Sequence, residues 1–385
     1  MVLQIFNLSP SDIFKKYSNE YKIFREVHSI GLYGLEIRNI DPVLANLIQS
    51  IVLKEKEICY KKYRNNNVDL LIAGSIYSFK ELSRKIVSFG DEDSGYKIVN
   101  AIKNYEEYGS QTYSFGNRKL SFSRPLIMGI LNVTPDSFSD GGKYFHLKDA
   151  VNHALEMIDS GADIIDVGGE STRPGSEPIS EDEEISRTIP VIIEIKKLRP
   201  ECLISIDTTK SAVAKKALEH EALIVNDISG LTFDKSTASL IKKFDAGIIL
   251  MHIKGKPLNM QDSPEYNDVI REVYEFLFEQ SNFALKTGIQ KIIVDPGIGF
   301  GKSIEDNFEI LRRLEDFKSL GFPIMIGLSK KSFIGNALNL DINQREIPSV
   351  ILESISILNS ARIIRTHNVK SALQSTKLLQ YFIQG

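Results

Sequence analysis

Asn132, Asp207, Asn226, Asp295, Lys331, Arg365 and His367 share one placement: each stands at or just past the carboxyl end of a short apolar run. Asp166, Glu170, Asp227 and His252 stand in the same way. A lone Asp or Asn after an apolar run is usually a helix cap or turn former. A polar group closing nearly every run is more than capping requires. Asp207, Asn226, Asp295 and Lys331 offer acceptors and donors that suit a flat heterocycle with amino, amide and ring-nitrogen groups, because a carboxylate accepts two N–H donors in one plane. Asn132, Arg173, Arg365 and His367 offer donors, two of them permanent cations, that suit a phosphate or pyrophosphate. Arg173 lies in STRPG (171–175), flanked by Pro and Gly. Such a loop either swings over a site as a lid or is simply solvated.

The elements that must position these residues repeat from about residue 125. The apolar runs are 125–133, 162–168, 203–208, 223–228, 247–252, 291–296, 323–329 and 361–367, each followed by a polar or Gly-bearing loop and a helical stretch. In the first of these helices Leu147, Ala150, Val151, Ala154, Leu155 and Ile158 mark one face at the helical period. Eight runs apolar enough for burial on both faces, alternating with helices over ~260 residues, predict an α/β fold, a closed (β/α)8 TIM barrel, with an open doubly wound sheet as the alternative. In a barrel the carboxyl ends of the strands share one mouth. GILNVTPDSFSDGG (129–142) fits that scheme. Ile130, Leu131 and Val133 end a strand around Asn132, and the Thr, Pro, Asp, Ser and Gly that follow can continue neither strand nor helix.

Residues 1–112 read as a separate small α/β domain and 113–385 as the barrel. DPVLANLIQSIVLKEKEICYKK (41–62) reads as an amphipathic helix opened by Asp41 and Pro42, NVDLLIAGS (67–75) as a strand, and FKELSRKIVSF (79–89) and YKIVNAIKNYEEY (96–108) as helices. No cluster of His, Asp or Arg there suggests chemistry, so this domain reads as a docking or oligomerisation module. TYSF (112–115) and RKLSF (118–122), around Gly116-Asn117, are placed to pair as a hairpin closing the barrel floor.

Composition excludes several function classes. The 385 residues carry 47 Lys and Arg against 50 Asp and Glu, a net charge of −3, so no global basic field holds nucleic acid or an acidic membrane surface. The only cysteines, Cys59 and Cys202, form no CxxC and fit a reducing compartment. With no basic leader and no apolar stretch of the ~18 residues a bilayer needs, the sequence reads as cytoplasmic. DPGIGFGKS (295–303) ends in Gly-Lys-Ser, but a P-loop needs glycine where this chain has Pro296. Its glycines are better read as permitting a tight turn beside Asp295. The six histidines show no HxxxH spacing, and zinc is not expected.

GILNVTPDSFSDGG, GADIIDVGGESTRPGSEPIS, SIDT, NDI, LMH, DPGIGFGK, GLSKKSFIG and RTH, in this order, resemble dihydropteroate synthase over roughly residues 120–385. The resemblance implies a (β/α)8 barrel that joins 6-hydroxymethyl-dihydropterin pyrophosphate to 4-aminobenzoate, with Mg2+ on the pyrophosphate and a homodimer formed through barrel helices. Carried over by motif, Asn132 would meet metal and pyrophosphate, and Asp207, Asn226, Asp295 and Lys331 would hold the pterin. Arg365 and His367 would bind the pyrophosphate, joined by Thr172 and Arg173 on the lid. Phe300 would pack near the arylamine, and Ser332 would lie near its carboxylate, where the N-terminus of a helix favours an anion. Asp136, Ser137 and Phe138 would contribute from a loop that orders once both substrates bind. The family usually shows Ser-Arg-Lys where this chain has Ser329-Lys330-Lys331, which keeps the pterin lysine and removes a fork-shaped donor beside it. Two other readings stay open: a pterin-dependent methyltransferase, which has no use for Arg173, Arg365 and His367, and a non-catalytic pterin-binding barrel.

Overall fold

A four-stranded and an eight-stranded sheet organise the described residues, each in its own unit, and a two-stranded hairpin accompanies the second. The computed structural model describes residues 1–21, 32–54, 58–64, 66–134 and 143–384. One unit comprises Met1–Tyr108 with Glu315–Phe322, the other Gly109–Leu314 with Pro323–Gly385. The sequence division at residue 112 leaves Glu315–Phe322 with the barrel; its Ser319 hydroxyl instead accepts Ile5 N–H at 3.2 Å within the first unit.

The first unit runs β1 (Val2–Asn7), α1 (Ser11–Tyr21), β2 (Tyr33–Ile40), α2 (Pro42–Lys54), β3 (Ile58–Arg64), β4 (Asn67–Gly74), α3 (Ile76–Ser88) and α4 (Glu92–Glu106). Its antiparallel sheet has the order β1-β2-β4-β3. Asp41 caps α2 as expected, its Oδ1 accepting Val43 and Leu44 N–H. The helix does not continue to residue 62, however. Residues 58–64 form the edge strand β3 instead, where Tyr60, Lys61, Lys62 and Tyr63 pair with β4 and put one tyrosine and one lysine on each face. Ile5, Ile37, Leu70 and Ile72 form one core with Ile48, Phe79, Leu82 and Ile98 of the helices. Phe6 and Leu71 form a second with Tyr17 and Tyr21 of α1.

The second unit opens with the hairpin β5 (Thr112–Phe115) and β6 (Arg118–Ser121), paired antiparallel around Gly116 at φ +58°. The barrel follows as β7 (Leu126–Asn132), α5 (Lys143–Asp159), β8 (Ile164–Gly168), α6 (Glu181–Leu198), β9 (Ile204–Asp207), α7 (Ser211–Glu219), β10 (Ile224–Asp227), α8 (Ser236–Lys243), β11 (Gly247–Met251), α9 (Val269–Thr287), β12 (Ile292–Asp295), α10 (Ile304–Arg312), β13 (Met325–Gly327), α11 (Ser332–Leu338), α12 (Glu346–Leu358), β14 (Ile363–Thr366) and α13 (Val369–Gln384). All eight strands pair in parallel in the order β12-β11-β10-β9-β8-β7-β14-β13, and the bridge Val294–Ile324 closes the ring. This is the closed barrel rather than the open sheet. The hairpin plugs its amino end: Phe115, Leu120 and Phe122 pack against Leu126, Ile164, Leu203, Ile224 and Ile363, residues at the starts of strands. Among the described residues no helix is long and apolar enough to cross a membrane.

Candidate active site

Strand register brings the polar ends together. Asn132 lies opposite Gly168, Gly168 opposite Asp207 and Asp207 opposite Asn226, while Met251 lies opposite Asp295 and Gly327 opposite Arg365. Side chains alternate faces along a strand, so residues sharing a rung point the same way. Asp207, Asn226, Asp295, Lys331, Arg365, Thr172 and Phe300 line one cleft. Gly168 lies between two of these side chains: a Cβ there would be in ordinary contact, 3.7 Å, with both Asn132 Oδ1 and Asp207 Oδ2.

Two charged groups organise the cleft. Arg365 donates from Nε to Asp166 Oδ2 and from Nη2 to Asp207 Oδ2, both at 2.6 Å. Burial opposes the Arg365 charge, but Asp166 and Asp207 outweigh it and hold the guanidinium more firmly protonated than usual. Burial in turn pushes the Asp207 carboxyl above the ordinary range, against the pull of Arg365. Across the cleft Lys331 donates to Ile298 O at 2.7 Å and sits 3.9 Å above the Phe300 ring. Desolvation lowers its ammonium pKa to about 7, with Asp295 opposing the fall. Asp295 accepts Gly297 N–H at 2.7 Å; burial raises its carboxyl pKa, and that N–H and Lys331 pull it back.

The loop after β12 is held from below. Gly297 takes φ +71°, and a Cβ there would fall 1.8 Å from His252 O. Lys302 Nζ lies 3.0 Å from His252 Nδ1 and donates to Gly297 O at 2.8 Å and Phe300 O at 3.1 Å. The Gly-Lys-Ser sequence thus fastens a turn, and its lysine is buried.

Not every strand-end residue faces the cleft. Asp227 accepts from Ser229 N–H, Ser229 O–H and Leu231 N–H, a turn-capping role. Glu170 is taken by Lys210, which also bonds Glu184 at 2.6 Å. His252 belongs to the Lys302 fastening. Arg173 is exposed on a loop tied to itself by Ser176 Oγ and to Pro257 O by Gly175 N–H. Ser332 is exposed as the first residue of α11. His367 lines a neighbouring cleft with Lys330 and Lys370. Its Nδ1 is 2.9 Å from Ser329 Oγ. Burial, then Arg365 and Lys330, lower its pKa to about 3, so the imidazole is neutral. The heterocycle and anion groups meet at one residue: Arg365, read with the anion group, bonds Asp207 of the heterocycle group and lines the same cleft. Asp136, Ser137 and Phe138 lie outside the described residues.

Residues 128–367 match the family described as pterin binding enzyme. The chain is 44% identical over 279 residues to the dihydropteroate synthase of Clostridium beijerinckii, spanning 72% of this chain and 98% of that one. The chain belongs to the dihydropteroate synthase family. Solved structures agree. The Yersinia pestis dihydropteroate synthase with a sulfonamide drug superposes at a TM-score of 0.68 with 37% identity, covering 71% of this chain and 100% of that chain. The Xanthomonas albilineans dihydropteroate synthase in complex with 7,8-dihydropteroate gives 0.64 and 33%, covering 71% and 99%. Against the dihydropteroate synthase motifs, two contributors carried no assigned role in the sequence reading. Asp166 joins Asn226 to Arg365 beneath the cleft, and Ser329 holds His367. Their signal was weak: Asp166 is one more strand-end carboxylate, and Ser329 is one of many serines.

Proposed function

We propose that this protein condenses 6-hydroxymethyl-7,8-dihydropterin pyrophosphate with 4-aminobenzoate, giving 7,8-dihydropteroate and pyrophosphate. The observation that carries the reading is the convergence of Asp207, Asn226, Asp295 and Lys331 on one cleft that Arg365 also lines. Asp207 and Asp295 accept from the amino and ring N–H groups of the pterin, and Lys331 and Asn226 complete its edge. Arg365 Nη1 makes no bond to the described residues, so the guanidinium can keep both carboxylates and still meet the diphosphate, with Arg173, His367, Asn132 and Thr172 around it. Phe300 packs the arylamine ring, and Ser332 lies near its carboxylate.

The bond between the pterin methylene and the diphosphate oxygen breaks as the arylamine nitrogen bonds that carbon. Nitrogen then gives its proton to water. An arylamine is neutral and nucleophilic at pH 7, so the protein's task is to orient it and to stabilise charge on the departing diphosphate. No covalent enzyme intermediate and no obligatory general base are required.

Asn132 offers a single amide oxygen, and among the described residues no group of three His, Cys, Asp or Glu is placed to hold a metal. One protein oxygen fits Mg2+, which keeps waters and phosphate oxygens as ligands rather than filling an all-protein cage. Mg2+ would be held by Asn132 with the diphosphate, and supplies charge neutralisation for the leaving group when bound. A homodimer belongs to the same proposal. Ile347, Ile351, Ile355 and Leu358 form a 41–74% exposed stripe on α12, and Leu378, Tyr381 and Phe382 stand 71–83% exposed on α13. A cytoplasmic location and competition between sulfonamides and 4-aminobenzoate complete the reading. The test is pyrophosphate release from the pterin pyrophosphate and Mg2+ with purified full-length protein. Release that depends on 4-aminobenzoate supports the synthase, and its absence overturns it.

A further inference from the structure

We infer that Asp166 is a positioning residue that fixes which atom of Asn226 faces the heterocycle and couples that choice to Arg365. This rests on the proposed reaction and goes beyond it, because Asp166 is fully buried and does not line the cleft.

Asp166 Oδ2 accepts two donors, Asn226 Nδ2 at 2.9 Å and Arg365 Nε at 2.6 Å. An ionised carboxylate only accepts, whereas an amide has one accepting and one donating end. One N–H of Asn226 is therefore committed to Asp166, and that bond fixes which way round the amide sits. Its Oδ1 is left buried with no partner among the described residues, on a side chain 2% exposed that lines the cleft. Asn226 so held is an acceptor, and it selects a ligand carrying an N–H at that point of its edge. Released from Asp166, the amide could turn and meet that N–H with its own donor, a repulsive arrangement. Because the same oxygen also holds Arg365, the heterocycle side and the anion-binding cation share one buried anchor.

Swapping the two side chains tests this without changing their shape or summed charge. Asn226→Asp alone still offers an oxygen to the ligand but sets two acceptors against each other at the Asp166 contact. Calorimetry with 6-hydroxymethylpterin should show at least tenfold weaker binding, while the KM for 4-aminobenzoate stays within twofold. The double variant Asp166→Asn with Asn226→Asp restores a donor facing an acceptor at that contact, although its amide nitrogen can no longer accept Arg365 Nε–H, and should recover at least threefold of the pterin affinity that the single variant loses. A merely structural role for Asp166 would not produce that rescue. Undiminished binding by Asn226→Asp, or a double variant as weak as the single, overturns the inference. Should Asn226→Asp fail to fold, the double variant decides alone: pterin binding within tenfold of wild type supports the inference and a greater loss overturns it. Wild-type protein that releases no pyrophosphate sinks the proposed reaction, whereas turnover by wild type with undiminished Asn226→Asp binding sinks this inference alone.

Discussion

The two ends of the same eight strands are built on opposite principles. At the amino end Phe115, Leu120 and Phe122 close the barrel with an apolar plug, and Tyr113 O–H bonds Ile292 O at 2.6 Å. At the carboxyl end Asp166, Asp207, Asn226 and Asp295 are 0–9% exposed, so buried polar groups replace the plug. Apolar burial stabilises wherever it occurs, but buried carboxylates cost free energy unless matched. The plug end should therefore govern stability and the polar end binding. Phe122→Ala tests the first half: a fully buried ring leaving a cavity should cost about 3–5 kcal/mol in denaturant unfolding. At a temperature where this variant stays folded, kcat and both KM values should remain within twofold. A large kcat loss in the folded variant would break the division between the two ends.

Asp295→Ala probes the other half and should give the reverse pattern. Ring N–H groups of the ligand would lose a charged acceptor, worth about 3 kcal/mol or roughly a hundredfold in kcat/KM. Stability should fall less than in Phe122→Ala, because removing a buried carboxylate relieves its desolvation while Gly297 N–H and Lys331 lose their partner. Pyrophosphate release and urea unfolding on one preparation decide this; loss of stability with activity intact would reverse the assignment.

How legible each end was in the sequence follows from the same physics. The barrel strands announce themselves because burial on both faces demands unbroken apolar runs. β3 did not, because an edge strand pairs on one side only and can carry Lys61, Lys62 and Tyr63. At the mouth, Asp207, Asn226, Asp295 and Lys331 were legible as polar strand ends, yet Asp227 and His252 looked the same in sequence. Asn226 and Asp227 are adjacent in β10, so one faces the cleft and the other turns away to cap Ser229 and Leu231. Strand phase separates them, and a four-residue run does not reveal its phase. The Asp166 and Ser329 contacts join elements far apart in the chain, which no local pattern encodes.

Lys302 sharpens the comparison, since it is a buried charge at the mouth that works as a structural fastener. Desolvation lowers its pKa from 10.5 to about 7, with Asp295 partly offsetting the fall. With the folded pKa below the unfolded one, the unfolded chain binds more protons between these values, so stability should climb as pH rises through that window. The contribution is up to ~1.4 kcal/mol per pH unit. Lys302→Met removes it whatever its own baseline stability. Unfolding at pH 8 and pH 9 should show a shallower rise for the variant, and parallel curves would mean that Lys302 stays charged.

The smallest effect lies at Ser329, where the polar end depends on a single proton. Its Oγ accepts His367 N–H at 3.3 Å and lies 2.9 Å from Nδ1, so its own proton is free to go to that nitrogen. A neutral imidazole held this way carries its remaining hydrogen on Nε2, where it can donate to an anion. Ser329→Ala lets the other tautomer form and turn a lone pair toward the diphosphate. The expected loss is ~1 kcal/mol, about a fivefold rise in KM for the pterin pyrophosphate. The KM for 4-aminobenzoate should not move, and Ser329→Thr, which keeps the hydroxyl, should recover most of the loss. With the His367 pKa near 3, no histidine ionisation should mark the rate between pH 5.5 and 8. Equal KM changes for both substrates would mean that Ser329 merely supports the turn before α11, and a rate limb near pH 6.5 that is absent in His367→Gln would mean that the imidazole acts as a cation.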